Sequence, residues 1–555
     1  VSEARPRSNR LQELADTTYD LLVVGGGITG CGVARDAAMR GMRVALVEKG
    51  DYASGTSSKS SKMVHGGVRY LEQYQFGLVF ESVRERAVQR RLNPHLVWPM
   101  AYCFPVFKGD RNPLWKINLG LWLYDVMSWG RGHKRHKKLN PKQTAEKVPG
   151  LMTDGMSGSV YYYDCGTDDA RLTLANALSA ERSGATVLNY VRYDAPVYGD
   201  DGAIASAQLT DELTGDAMTV KCRHVVYCGG PWTDTLTHAA GDGRLLRRTK
   251  GIHIVVARER FPIPDVVAAV RTKDQRPCFA VPYGDCIYIG TTDTDYAGDL
   301  DAIEATAEDI TYLLDTINHY FPDARLTPAD VRSTWSGLRP LVLDDDVTDA
   351  SKTSREHALE TDRERGITTI AGGKLTTYRS MAEEVLDSAI TALRGREGAT
   401  RPANCTTHKV ALDPELPAEE SLDSGFDRML WRHHGSAMAW IKARMVSHPD
   451  EAGPLSEGTD YVLAQVSWAV LGEHAERLAD VLVRRLQVFY KAPDQGLEAA
   501  RTVAEHMARL LERNADWVEG EVERYRREVA LSRTGVDALT QGVSVDATSA
   551  GRAVG

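Results

Sequence analysis

The period of the apolar positions changes along the chain. Residues 19–50, YDLLVVGGGITGCGVARDAAMRGMRVALVEKG, open on an apolar run (19–24) closed by three glycines, as a buried parallel strand would be. Val33, Ala34, Ala37 and Ala38 then recur at helical spacing, Gly41 ends that helix, and 44–47 begins a second buried strand. Further strand-like runs at 224–228, 253–257, 286–290 and 367–373 are separated by helical patterns such as 172–184 and 307–321. This alternation predicts an α/β body. From about residue 395 the strands stop. Segments 459–490 and 497–530 carry helical spacing (Leu478, Leu482, Leu486, Phe489; Val503, Met507, Leu510, Leu511), which predicts an all-helical C-terminal domain. The polar residues 1–17 read as a flexible arm, and 533–555, without an apolar period, as a disordered tail.

At about 150 residues per domain, 555 residues suggest three or four domains. A 43% hydrophobic and 26% charged composition excludes a disordered chain. Acids outnumber bases, 76 to 67, so nucleic acid is not an expected partner. Eight cysteines without a C-x-x-C pair indicate neither zinc nor a redox motif, and reduced cytosolic thiols are expected. No apolar run nears the ~20 residues that span a bilayer, and the first ten residues hold no signal-peptide core. The acidic run 344–346 lacks calcium-loop spacing, so no metal is expected.

Gly25, Gly27 and Gly30 fit G-x-G-x-x-G, and Glu48 ends the second strand. The first glycine permits a tight turn, the second admits a pyrophosphate, and the third lets helix and strand pack closely. The helix N-terminus adds positive potential, and the acid suits ribose hydroxyls. This pattern predicts dinucleotide binding without separating FAD from NAD. The late turn ITTIAGGKLTT (367–377) points to FAD, because such a segment returns to the first domain to cover the flavin end.

A second constellation, GTSSKSSKMVHGGVRYLE (55–72), joins small hydroxyl residues and glycines to His65, Arg69 and Tyr70. With YYYDCGTDDARLTLANA (161–177), YIGTTDTDYAGDLD (288–301), SGLRPL (336–341) and AGGKLTTYRSMAEE (371–384), these blocks resemble, in order, the FAD-dependent glycerol-3-phosphate dehydrogenases. The resemblance implies a Rossmann-like FAD-binding domain, an α+β substrate domain and an all-helical C-terminal domain. The expected boundaries are 18–92, 150–246 and 331–394 for the FAD domain, 93–149 and 247–330 for the substrate domain, and 395–532 for the helical domain. It implies oxidation of sn-glycerol 3-phosphate to dihydroxyacetone phosphate, with electrons passed to a membrane quinone. Flavin contacts carry over to Gly25, Gly27, Gly30, Glu48, Ser57, Ser58, Ser61, His65, Gly66, Gly67, Gly230, Trp232, Gly373, Leu375 and Thr376. Substrate contacts carry over to Arg69, Tyr70, His253, Arg339 and Lys374. One departure is Cys228-Gly229, where the family commonly shows Ala-Thr.

These residues suit the chemistry. A phosphate needs charge-assisted donors, which Arg69, Arg339 and Lys374 supply. A histidine titrating near 6.5 suits the base, so the expected catalytic pair is His253 as base and Arg339 stabilising the developing alkoxide. His253 alone reads equally as a strand-end core residue. Oxygen as acceptor in a soluble oxidase, and an amine or amino-acid oxidase of the same fold, remain alternatives.

In 111–138, Trp115, Leu119, Trp122, Val126 and Trp129 form one helical stripe, followed by Arg131, Lys134, Arg135, Lys137 and Lys138. An aromatic stripe beside a basic cluster predicts contact with an anionic lipid surface, on the cytoplasmic face of the cell membrane. A homodimer is left open.

Overall fold

The computed structural model describes residues 3–67, 75–128, 134–239, 245–343, 357–396, 398–455 and 460–541. The two apolar runs around the glycine turn are the centre of a six-stranded sheet. Its order is His357–Asp362, Ile367–Gly372, Val225–Tyr227, Leu21–Val24, Val44–Val47, Thr186–Leu188, and all but the first strand are parallel. Alternate side chains of the runs serve opposite faces. Leu21 and Val23 pack under helices Ile28–Met39, Asp169–Arg182 and Tyr378–Leu393. Leu22 and Val24 pack under an antiparallel sheet of Val191–Tyr198, Ile204–Asp211 and Ala217–Lys221. The late strand does return to this domain, with Val225 opposite Ile367.

A ten-stranded mixed sheet forms the second layer system. Its backbone is two long ladders, Val97–Phe107 with Met156–Thr167 and Leu246–Ala257 with Val331–Val342. Helix Ala307–Tyr320 covers one face through Ile310, Leu313 and Ile317. The helical C-terminal domain covers the other, with Val255, Val281, Tyr288 and Trp335 sharing a core with Leu478, Leu482 and Phe489.

Four expectations are corrected. Met156–Thr167 and Val331–Val342, assigned above to the FAD domain, are twelve-residue strands of the mixed sheet, because their ladder partners lie there. The N-terminal arm is no loose tail: Arg7–Asp16 is a helix that buries Leu14, and Arg10 Nη1 donates to Val187 O at 2.9 Å. Helix Ala515–Thr540 runs on through 533–540, where Val536 is buried and Gly535 meets Ala305 O so closely that a Cβ would lie 2.4 Å away. Residues 542–555 of the expected tail lie outside the described residues. Segment 459–490 is broken into helix Leu463–Glu473, a π-helical turn Asp480–Arg485 and helix Val488–Lys491, with left-handed His474 (φ 58°) and Gln487 (φ 60°) at the breaks.

Six buried histidines among the described residues set a pH dependence. Burial holds His95 and His474 down to about 4 and His224 to about 3, and it depresses His253, His434 and His506 as well. The unfolded chain takes up these protons near pH 6.5 and the folded chain does not, so stability is full above 6.5 and declines as pH falls, by about 1.4 kcal/mol per unit of depression. The melting temperature therefore falls steadily between pH 6.5 and 4. A flat melting curve across that window contradicts these buried neutral rings.

Candidate active site

A cavity of about 770 Å³ starts at the glycine turn and runs between the two sheets. Gly25 has φ 112°, and a Cβ there would lie 2.5 Å from Cys228 O, so the turn admits only glycine. Gly27 is the N-cap of helix Ile28–Met39, and Ser57 Oγ accepts from Ile28 N at 2.9 Å. Gly30 does not face the cavity. Its Cα abuts the turn, where a Cβ would come within 1.9 Å of Gly25 O.

The Glu48 carboxylate accepts from Gly26 N at 2.7 Å and Gly50 N at 2.8 Å. Burial nevertheless raises its pKa, the two N–H donors offsetting only part of the desolvation. Gly230 (φ 52°), Trp232, Gly373 (φ 93°), Leu375 and Thr376 line the cavity with Ser61 and His65. Thr376 Oγ1 accepts from His65 N at 3.2 Å, tying the early loop to the late turn. At the departure from the family pattern, a Cβ on Gly229 would lie 2.7 Å from Leu236 Cδ1 and 3.1 Å from Thr233 N, so a threonine would be crowded here. This backbone, with its close glycines, helix N-terminus and acid, fits an FAD adenosine diphosphate.

The catalytic candidates meet in the same cavity. His253 lies on strand Leu246–Ala257, opposite Gly290, whose missing Cβ leaves room for the ring (2.2 Å to His253 Cδ2). The ring stacks on Trp335 at 4.7 Å and 16°, and its Nε2 is 2.9 Å from Ser61 Oγ. Burial first, then the positive charges of Arg339 and Lys62, hold His253 well below its usual pKa, so it stands neutral at neutral pH and able to accept a proton. Arg339 lies over Gly251, where a Cβ would meet Nη2 at 2.4 Å. Its Nη1 donates to Asp293 at 3.0 Å, and its Nη2 donates to Thr291 Oγ1 at 3.0 Å and Thr292 O at 3.1 Å. Lys374, the N-cap of a short 3-10 turn, also lines the cavity.

Not every expected contact reaches the cavity. Gly66 packs on Tyr124, its N–H donating to Tyr124 Oη at 3.1 Å, and a Cβ there would strike that hydroxyl. Ser58 is buried beneath the loop, and Gly67 is a left-handed hinge (φ 72°) off the cavity wall. Arg69 and Tyr70 lie outside the described residues. The structure adds Lys59, Asp293, Arg484 and Glu528, none of them among the expected site residues, although Lys59 and Asp293 fall inside quoted blocks: Asp293 anchors Arg339, and the other three line the cavity.

The aromatic stripe faces outward. Helix Leu114–Met127 buries Leu114, Leu121 and Tyr124 against Val79, Val83 and Val106. Its other face exposes Trp115 (65%), Leu119 (62%), Trp122 (51%) and Val126 (56%). Neighbouring helix Phe76–Leu92 exposes Phe76 and Phe80. Lys134, Arg135, Lys137 and Lys138 are exposed, while Trp129, Arg131 and His133 lie outside the described residues. Among the described residues no helix is long and apolar enough to cross a membrane.

Comparison with known proteins agrees with this geometry. The FAD dependent oxidoreductase family matches residues 20–379, and the C-terminal domain of alpha-glycerophosphate oxidase matches 375–517. The chain is 34% identical over 539 residues to the aerobic glycerol-3-phosphate dehydrogenase of Staphylococcus aureus (strain USA300), covering 94% of this chain and 96% of that one. A structure of the glycerol-3-phosphate dehydrogenase from Bacillus halodurans complexed with FAD superposes with a TM-score of 0.75 at 30% identity, covering 96% and 98% of the two chains. The L-alpha-glycerophosphate oxidase from Mycoplasma pneumoniae with FAD bound shares the fold at 17% identity, with a TM-score of 0.53 over 70% of this chain and 97% of that one.

Proposed function

The chain belongs to the FAD dependent oxidoreductase family and, within it, to the aerobic glycerol-3-phosphate dehydrogenases, and on that footing we propose that it oxidises sn-glycerol 3-phosphate to dihydroxyacetone phosphate with FAD as resident cofactor. The observation that carries this reading is that Arg339, Lys374 and neutral His253 line the same cavity as the Gly25 turn.

FAD, when bound, supplies the redox chemistry by taking the C2 hydrogen as hydride. The remaining work falls to the chain. The start of helix Ile28–Met39, where Ser57 Oγ already takes the Ile28 N–H, would hold the pyrophosphate through its remaining N–H groups and its positive potential, and Glu48 has lone pairs left for ribose hydroxyls. Arg339 and Lys374 bind the substrate phosphate, Arg339 with its fork set by Asp293 and Thr291. The C2 hydroxyl proton passes to His253, whose ring is fixed by Trp335 and Ser61. Steady-state dye reduction tests the assignment: glycerol 3-phosphate turns over, whereas glycerol has a kcat/KM lower by about a thousandfold. Equal turnover of the two would overturn the phosphate role.

The outward aromatic face and the exposed lysines support attachment to the anionic inner face of the cell membrane, where a quinone would accept the electrons. Replacing Trp115 and Trp122 together by serine lowers partitioning onto anionic vesicles by about a hundredfold, on the scale of two large side chains losing about 1.5 kcal/mol of apolar burial each. Raising salt weakens wild-type binding as well. Equal sedimentation of variant and wild type with vesicles would contradict the membrane face. Under air, stoichiometric peroxide release without quinone would favour the oxidase alternative.

A further inference from the structure

We propose that the helical C-terminal domain is part of the flavin site: Arg484 and Arg485 fix the loop 48–54 that follows Glu48, so that FAD retention depends on how this domain docks. The inference rests on the FAD reading above and extends it to a domain more than 400 residues away in sequence.

The anchor is Asp51, which is 1% exposed and three residues beyond Glu48. Its Oδ2 accepts from Arg484 Nε at 2.6 Å and from Arg485 Nη1 at 2.5 Å, and its Oδ1 accepts from Arg485 Nη2 at 2.9 Å. Arg484 Nη2 also donates to Asp480 at 2.6 Å, as does the Tyr190 hydroxyl. Two carboxylates thus meet two guanidinium groups, and the buried charges balance. Both arginines come from the π-helical turn Asp480–Arg485, a wide turn of a type that recurs at functional sites.

The loop held in this way is wired to the cofactor cradle at two points. Ala53 N donates to Gly26 O at 3.0 Å, and Gly26 N donates to Glu48 Oε2 at 2.7 Å. Gly50 N holds the other Glu48 oxygen. Next to Asp51, Tyr52 Oη lies 3.3 Å from His474 Nδ1, a second grip from the helical domain. Arg484 and Glu528 of that domain also line the cavity itself. A shift of the π-helical turn would therefore move Glu48 and the glycine turn together. A purely structural ion cluster would have no reason to reach the cavity wall.

The test follows flavin release from the diluted holoenzyme. Arg484→Gln leaves Asp51 paired with Arg485 and Asp480 held by the Tyr190 hydroxyl and the N–H groups of Glu476 and Arg477, far-UV circular dichroism checks that the fold is kept, and the Kd for FAD is about tenfold higher, as expected for the charge-assisted hydrogen bond lost to the loop. Met507→Ala, which opens the buried core of the helical domain without removing a partner of Asp51, lowers the melting temperature yet keeps the Kd for FAD within about twofold of wild type. Wild-type affinity in Arg484→Gln, or equal weakening in Met507→Ala, overturns the proposal. A wild-type chain that binds no FAD overturns the cofactor reading instead.

Discussion

Arg339→Gln lowers kcat/KM for glycerol 3-phosphate by about a thousandfold while leaving FAD bound. Glutamine removes the positive charge and the planar fork, which together are worth about 3–4 kcal/mol toward a phosphate in a sheltered site. It also leaves Asp293, now 3.0 Å from Arg339 Nη1, without that guanidinium just behind the cavity wall, where its charge repels the incoming dianion. Asp293→Asn separates these effects: the guanidinium keeps its charge and loses only one ionic anchor, so kcat/KM falls about tenfold. Steady-state kinetics with an artificial acceptor measures both. An Arg339→Gln enzyme within about fivefold of wild type would remove this residue from the phosphate site.

Gly30→Val has an equally large effect at the other substrate, the cofactor. The third glycine of the turn makes no contact with the cavity, yet a Cβ there would fall 1.9 Å from Gly25 O and 3.2 Å from Cys228 Cβ. The helix Ile28–Met39 must then move off the strand Leu21–Val24, and its N–H groups leave the pyrophosphate position. The purified variant is expected colourless, with affinity for FAD lower by at least about a hundredfold. Far-UV circular dichroism of the same sample checks that the domain is folded. A yellow Gly30→Val protein with wild-type flavin content would contradict the close helix–strand contact.

What the chain discloses by itself divides along a physical line. The strand–turn–helix of 19–50 is a local object: period, glycine spacing and Glu48 are all within thirty-two residues, and each maps onto the structure. The parallel return of Ile367–Gly372 was legible because its glycine turn repeats the grammar of the first. Domain boundaries were not, because Met156–Thr167 and Val331–Val342 read as any apolar strand and only their ladder partners assign them to the mixed sheet. The end of the last helix was hidden for a related reason: 533–540 has no wide apolar face and is held by Val536 and the close approach at Gly535. In the site, Gly66 belongs to the right motif, but it serves the packing of Tyr124. Asp293 sits inside the block 288–301, yet nothing local marks its role, and Arg484 lies in no quoted block; they matter through partners 46 and 433 residues away.

The central claim is that one cavity holds FAD beside a phosphate-binding pair and a neutral imidazole. Anaerobic titration of the purified yellow protein with glycerol 3-phosphate measures this directly, by flavin absorbance. Bleaching that is complete near one equivalent, with glycerol and amino acids inert, is the predicted result. Flavin that stays oxidised with excess glycerol 3-phosphate, or that is bleached by an amino acid, would contradict it.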